Sequence, residues 1–283
     1  MKIITLNNGV KMPILGYGVY QIEDLELCQR CVLNSIETGY RLIDTAASYL
    51  NEEAVGKGIK SSHVPREELF ITTKIWVQDA GYESAKKAFD KSLQRLNLDY
   101  IDLYLIHQPF GDIYGSWRAM EELYDSGRIR AIGVSNFYPD RLIDLIIHNR
   151  ISPAVNQVEV NPFHQQINDD IFMKKHNVQT EAWAPFAEGR NDIFGNELLI
   201  NIGKKYNKTV GQIILRWLVQ RNIVALAKTV NKDRMAENFD IFDFQLNDND
   251  MSLISSLDTK ESVFFSHRDP EAVTRLGKHI CDI

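Results

Sequence analysis

Four polar residues stand at or just beyond the points where short apolar runs stop. Asp44 follows Arg41-Leu-Ile, Lys74 follows Leu69-Phe-Ile-Thr-Thr, His107 follows Ile101-Asp-Leu-Tyr-Leu-Ile, and Tyr49 lies five residues past Asp44. A phenol with a pKa near ~10 is a weak acid at neutral pH, but an adjacent ammonium stabilises its phenolate and lowers that value, each pKa unit being worth about 1.4 kcal/mol. Lys74 is expected to do this for Tyr49. Asp44 would keep the lysine charged and aimed, and His107 would hydrogen-bond a substrate carbonyl or help relay the proton. Such a group suits reduction of a C=O. Alone, each residue has an ordinary reading, since an Asp-Lys pair is usually structural and a histidine at a strand end is usually satisfied by its neighbours. A Schiff-base aldolase with Lys74 as nucleophile is a rival, but it needs a depressed lysine pKa, and a partner such as Asp44 raises it.

The same punctuation recurs along the chain and shows which elements must position these residues. Ser135-Asn136 follows Arg130-Ala-Ile-Gly-Val, Gln157 follows Ala154-Val-Asn, Trp183 ends the run from Val178, and Lys228 follows Ile223-Val-Ala-Leu-Ala. Strands buried on both faces read as near-continuous apolar runs, and their alternation with helix-like stretches implies a parallel sheet. Strands are expected near 14–18, 41–43, 69–73, 101–106, 130–134, 154–157, 178–183 and 223–227. Eight such units close a TIM (β/α)8 barrel, an α/β fold that gathers all the strand ends at one mouth. Ahead of it, Ile3-Ile-Thr-Leu, Asn8-Gly9 and Val10-Lys-Met-Pro read as a β-hairpin capping the barrel bottom. Ala85, Phe89, Leu93 and Leu96 share one helix face that should pack on the sheet. Trp117 and Trp217 fall on apolar helix faces and are assigned to packing.

Without a linker or repeat, the chain reads as a single domain spanning 1–283. A capped helix is expected over 248–257. The tail after it, about 258–283, reads as irregular, and Phe264, Phe265 and His267 either lie across the mouth or belong to a frayed terminus.

Composition narrows the function classes. With 32 basic against 38 acidic residues the formal charge is −6, which argues against bulk attraction to nucleic acid or anionic lipid and leaves anion binding to a few placed cations. No run approaches the roughly 18 apolar residues of a membrane span, and the start Met1-Lys-Ile-Ile-Thr lacks a signal-peptide core, so a cytoplasmic protein is expected; a monomer is expected too, but the sequence leaves the oligomeric state open. Cys28 and Cys31 form a Cys-x-x-Cys, but inside a helix-like segment (25–36) and with no second pair or nearby histidines, which speaks against zinc or redox chemistry; no metal site is expected. Gly16-Tyr-Gly18 fails as a dinucleotide loop because position 21 is Gln. Gly133-Val-Ser135-Asn-Phe137 lacks the last glycine of a nucleophile elbow.

Three longer segments are specific. The run from Gly39-Tyr-Arg-Leu-Ile-Asp to Glu53-Ala-Val-Gly56, then Gly133-Val-Ser-Asn-Phe137, then Leu226-Ala-Lys-Thr-Val-Asn-Lys-Asp-Arg-Met-Ala-Glu-Asn238 closely resemble the signature segments of the aldo-keto reductases, in the same order. The resemblance implies a TIM barrel that binds NADP(H) without a Rossmann domain and reduces a small carbonyl substrate, with Asp44, Tyr49, Lys74 and His107 as catalytic tetrad and Tyr49 as acid. It puts Ser135, Asn136 and Gln157 at the nicotinamide carboxamide and Trp183 against the nicotinamide face. Lys228, Thr229 and Arg234 fall on the 2′-phosphate clamp, with Glu237 and Asn238 at the adenine. Gly18, Val19, Asp44, Ala184, Phe186, Leu226 and Val230 complete the expected cofactor contacts. Two cations and a hydroxyl on one loop favour NADPH over NADH. An alternative within the same resemblance is a redox-sensing subunit that only binds the cofactor, which the intact tetrad opposes.

Two positions depart from the family pattern: Gln108 stands where tryptophan usually follows the catalytic histidine, and Ala227 where proline usually precedes the phosphate lysine. The short loop Gln108 to Gly115 resembles that of bacterial members of the 2,5-diketo-gluconate reductase type. It implies an open substrate pocket, expected to be lined by Tyr20, Trp76, His107 and Phe110.

Overall fold

The computed structural model describes residues 2–283. Strands β1 (Ile3–Thr5) and β2 (Lys11–Pro13) pair antiparallel, with Thr5 opposite Lys11. The reversal is closed by Leu6 N–H donating to Val10 O at 2.9 Å. Gly9 takes φ +86°, the left-handed geometry for which Asn-Gly is suited. Asn7 and Asn8 donate their amides to the carbonyls of Pro153 and Arg130, which lie where two barrel strands begin. The hairpin thus covers the bottom of the barrel.

Eight parallel strands follow: β3 (Leu15–Gly18), β4 (Leu42–Asp44), β5 (Phe70–Ile75), β6 (Ile101–Ile106), β7 (Ile129–Ser135), β8 (Val155–Glu159), β9 (Gln179–Trp183) and β10 (Val224–Ala227). They close on themselves, because β10 pairs with both β9 and β3. Every residue of β5, β6 and β8 is buried, which is why these segments read as unbroken apolar runs with only placed polar interruptions. Observed strand ends fall within two residues of those expected. At Gly133 a side chain would collide with β8, since a Cβ there would lie 2.6 Å from Val155 O.

Helices follow each strand and wrap the barrel. Leu25–Thr38 starts at Asp24, whose carboxylate accepts from Leu27 N–H, and Val210–Gln220 starts with a reciprocal Thr209/Gln212 capping box. Tyr82–Leu96 buries Ala85, Phe89, Leu93 and Leu96, the face its periodicity indicates. Burying one large apolar side chain of this kind contributes about 1.5–3 kcal/mol. Trp117 and Trp217 are also core residues, both essentially inaccessible to solvent. No helix among the described residues is long and apolar enough to cross a membrane.

The tail departs from the sequence reading. Asp248–Ser255 forms the expected helix, but the segment read as irregular holds another, Pro270–Gly277. Asp269 caps it by accepting from Glu271 N–H, and Pro270 occupies a first-turn position where its missing N–H costs nothing. The signals were this capping chemistry and a short apolar face of Ala272, Val273 and Leu276. The chain then fastens beside β5: Trp76 Nε1 donates to His279 O at 2.8 Å, and Gln78 both donates to Cys281 O and accepts from Cys281 N–H.

Candidate active site

Adjacent strands bring the polar stops together. Asp44 ends β4, Lys74 is the fifth residue of β5, and His107 comes directly after β6, its N–H held by Ile75 O. Tyr49 closes a one-turn helix, Ala47–Tyr49, that folds its ring back over the barrel mouth and is stopped by Leu50 in the left-handed region. Lys74 Nζ donates to Asp44 Oδ1 at 2.7 Å, to Thr45 O at 2.9 Å and to Tyr49 Oη at 3.3 Å. Those three bonds use the three donors of an ammonium, so its direction is fixed. The Tyr49 and His107 rings meet edge-on with centroids 5.6 Å apart, and Ser48 Oγ lies 3.3 Å from His107 Nδ1. With Ser48 as donor, the opposite ring nitrogen carries the hydrogen and is free to donate.

The titration of Tyr49 runs against the sequence expectation. Burial pushes the phenol up to about 12; the Lys74 ammonium pulls it down, but by less, and the Asp44 carboxylate adds to the rise. Desolvation of the phenolate therefore outweighs the neighbouring cation. Tyr49 is thus protonated at neutral pH and able to donate a hydrogen bond, with the Lys74 ammonium beside its hydroxyl. For Lys74, burial works against the charged form, but Asp44, Tyr49 and Glu181 overcome it and hold the amine above its ordinary value. That is the wrong direction for a Schiff-base nucleophile. Burial, with Lys74 and His267 nearby, holds His107 well below the ordinary imidazole range, so it is neutral.

Beneath the tetrad lies a carboxylate that the sequence reading passed over. Glu181 points from β9 into the interior and is fully buried. Gln157 Nε2 donates to Asp44 Oδ2 at 2.9 Å and to Glu181 Oε2 at 3.0 Å, so both amide hydrogens face carboxyl oxygens, and among the described residues no donor reaches its Oε1. Burial first, and Asp44 second, push Glu181 up to about 8, so it is protonated at neutral pH. The available signal was a charged residue inside a barrel strand, two positions before Trp183 and hence on the same face.

Above this layer the polar groups continue in register. Ser135 Oγ donates to Gln157 O at 2.8 Å; Asn136 Nδ2 donates to His107 O and to Ser135 Oγ, both at 3.1 Å; Trp183 Nε1 donates to Asn136 Oδ1 at 2.9 Å. The indole is thereby fixed through a residue that itself holds the backbone of His107. Asn136 adopts φ 65°, a conformation asparagine tolerates better than most residues.

These residues line one cleft of about 1360 Å³ across the strand ends. Of the sequence-predicted positions, Gly18, Tyr20, Asp44, Tyr49, Trp76, His107, Ser135, Asn136, Gln157, Trp183, Ala184, Phe186, Leu226, Lys228, Thr229, Arg234, Glu237 and Asn238 lie on its wall. Lys74 sits behind it, against Tyr49. Val19 is buried, with its N–H on Asp44 O, and Val230 points to solvent, 49% exposed. Phe110 is not on the wall; its ring faces His267 at 6.3 Å, and His267 takes the lining position. Gln108 is buried and its Oε1 lacks a partner. The sequence reading also missed Ser48, in the one-turn helix after β4, Arg190, in the segment after β9, and Arg275 and His279 of the tail.

The cleft is larger than the roughly 300–1,000 Å³ typical of one drug-sized ligand, and its two ends differ. One has the tetrad with Trp76 5.2 Å from His107 and Tyr20 4.9 Å from Tyr49. The other has Lys228 and Arg234, neither of which forms an ion pair among the described residues. Unpaired cations at one end, a fixed indole mid-cleft and an acceptor oxygen on Gln157 make a donor set that fits an anionic dinucleotide. No cluster of His, Cys, Asp or Glu suited to a metal ion occurs among the described residues.

The model of the Aldo/keto reductase family matches residues 15–259. The chain is similar to a glyoxal reductase of Bacillus subtilis (strain 168), 49% identical over 92% of this chain and 94% of that protein. It is also similar to a methylglyoxal reductase of Escherichia coli (strain K12), 42% identical over 90% and 93%. Among solved structures, it resembles an aldo-keto reductase enzyme from a Medee basin deep-sea metagenome library, with TM-score 0.92 and 43% identity over 95% of this chain and 99% of that one. A Bombyx mori aldo-keto reductase in complex with NADP superposes with TM-score 0.89 at 34% identity, covering 96% of each chain.

Proposed function

The chain belongs to the aldo/keto reductase family, and on that premise we propose that it reduces the carbonyl group of small aldehydes or ketones with NADPH, Tyr49 donating the proton to the carbonyl oxygen. One observation carries the role of Tyr49: its hydroxyl is 3.3 Å from an ammonium whose other donors are committed to Asp44 and Thr45. Bound along the cleft, the reduced nicotinamide supplies the hydride. Lys228, Thr229 and Arg234 hold the 2′-phosphate, with Glu237 and Asn238 beyond them, and Trp183 offers the flat surface for the nicotinamide. Gln157 Oε1 and the remaining acceptor capacity of Ser135 and Asn136 meet its carboxamide.

At the other end His107, kept neutral by burial, donates one hydrogen bond to the substrate oxygen and Tyr49 donates a second. The oxygen is thus met by two donors before any charge forms on it. As the proton leaves Tyr49, Lys74 stabilises the phenolate, while Trp76 and Tyr20 exclude water from the reacting carbon. The whole chain is read as one domain whose tail, after about residue 258, completes the substrate end through Phe264, Phe265, His267 and His279.

The test is loss of NADPH absorbance with a panel of small carbonyl compounds that includes glyoxal and methylglyoxal, for wild type and Tyr49→Phe. Turnover is expected in wild type and a fall of about 10²–10⁴ in the variant, with NADPH binding retained. Equal turnover in the two proteins would remove Tyr49 from the reaction.

A further inference from the structure

The loop that carries the proposed phosphate clamp, between β10 and the helix Lys232–Phe239, has few ties of its own. Lys228, Val230 and Asn231 are exposed. Ala227 stands where the family pattern has proline, so the backbone entering the loop lacks that ring's restriction on φ. Among the described residues no backbone N–H reaches Thr229 O or Val230 O. What reaches them comes from beneath: Tyr17 Oη donates to Thr229 O at 2.6 Å, and Cys31 Sγ lies 3.9 Å from Val230 O. Tyr17 is in the middle of β3, paired in register with Ala227 of β10, and its ring is fully buried with its edge against Tyr40 at 6.0 Å. The hydroxyl therefore sits on a rigid strand, while the carbonyl it holds sits on a loop open to solvent.

We propose that Tyr17 is a positioning residue for cofactor selection, holding the Thr229 carbonyl down so that Lys228, Thr229 and Arg234 share one rim of the cleft and are preorganised for a 2′-phosphate. This rests on the reading of that loop as the phosphate clamp. The loop's own bonds then take over: Asn231 N–H reaches Thr229 Oγ1 at 3.2 Å, and the Asn231 side chain accepts from Arg234 N–H at 3.0 Å, capping the helix that presents Arg234. A chain of short contacts thus runs from Tyr17 through Thr229 and Asn231 to Arg234. Burial, with Cys31 beside it, pushes the Tyr17 hydroxyl far above the ordinary phenol range, so it remains a donor at any working pH. Cys31 finds its place here as packing beneath the loop, and both it and Cys28 are unpaired and buried.

The experiment is calorimetric titration of the whole protein with NADPH and, separately, with NADH, for wild type, Tyr17→Phe and Arg234→Ala. Phe retains the ring and its contact with Tyr40, and melting curves check that each variant is folded. For Tyr17→Phe the Kd for NADPH is expected to rise about 5–10-fold, the worth of one lost hydrogen bond, with the Kd for NADH and the turnover at saturating NADPH unchanged. Equal weakening of both cofactors would mark the hydroxyl as merely structural and overturn the proposal, as would an unchanged Kd for NADPH. Arg234→Ala separates the two layers of the argument. If it fails to discriminate NADPH from NADH, the clamp reading itself falls; if it discriminates and Tyr17→Phe does not, only the role of Tyr17 falls.

Discussion

Replacing Lys74 by methionine should damage stability and turnover for different reasons, and a second substitution should separate them. The side chains of Lys74 and Asp44 are 0% and 5% exposed and their charged atoms are 2.7 Å apart. At an effective dielectric of about 20, that separation corresponds to an attraction of about 6 kcal/mol, most of it offset by the several kcal/mol needed to desolvate each ion. The pair therefore contributes little net stability while intact. Lys74→Met removes the attraction and leaves Asp44 buried beside protonated Glu181, with Gln157 as its remaining donor. The expected cost is about 3–5 kcal/mol. In Asp44→Asn/Lys74→Met the uncompensated charge is gone and the introduced amide oxygen can still accept from Gln157, so urea denaturation should show most of that loss recovered. Turnover should not recover, because nothing then stabilises the developing phenolate of Tyr49; both variants should lie about 10²–10⁴ below wild type. A double variant no more stable than Lys74→Met would refute the charge argument, and one that turned over like wild type would refute the role of the ammonium.

Glu181→Gln mimics the protonated side chain and does not titrate. A carboxyl raised from 4.5 in the unfolded chain to about 8 in the fold takes up a proton on folding between those values, so wild-type stability should fall as pH rises from about 5 to 8 relative to the variant. At ~1.4 kcal/mol per pH unit the difference has a ceiling of roughly 5 kcal/mol, read from urea curves at each pH, and parallel curves would contradict it. Because Tyr49 loses its proton only as pH rises through about 12 and His107 stays neutral down to well below 6.5, neither should bend the reduction profile between about pH 6.5 and 9. An inflection there that survived Glu181→Gln would oppose these assignments. Trp183→Phe breaks the bond to Asn136 and should raise the Kd for NADPH by about 3–10-fold; it should also remove most of the tryptophan quenching that accompanies cofactor binding, which a fluorescence titration reads directly.

The barrel was legible because its strands are buried on both faces: the runs ending at Asp44, Lys74, His107 and Gln157 left no other way to hide their apolar residues. The convergence of Asp44, Tyr49 and Lys74 followed, since neighbouring parallel strands deliver their ends to one mouth. Loops were less legible. Phe110 lies just past a strand like its neighbours, but the turn after His107 carries its ring to His267, and nothing in the local sequence encodes that direction. The Pro270–Gly277 helix was missed because its start depends on Asp269 and Pro270, and its apolar face, Ala272, Val273 and Leu276, is confined to eight residues.

The pKa of Tyr49 was misjudged for an instructive reason. A list of neighbours contains the ammonium but not the volume of water excluded around the phenol, and it is the second quantity that decides the sign. The same exclusion makes the arrangement useful. Asp44 accepts from Lys74 through one oxygen and from Gln157 through the other, so one carboxylate orients both the cation beside the proposed proton donor and the amide of Gln157, which lines the cleft. In water these bonds would be exchanged for solvent and the two ends would be independent. In a dry interior neither can turn without leaving a buried charge or amide unpaired, so the proton donor and the proposed nicotinamide contact keep one relative geometry. If that coupling holds, Asp44→Asn, in which the new amide can present donors to the Lys74 ammonium or to Gln157, should weaken NADPH binding and lower kcat together. A change in kcat alone, with the Kd for NADPH unmoved, would show that the two ends are independent after all.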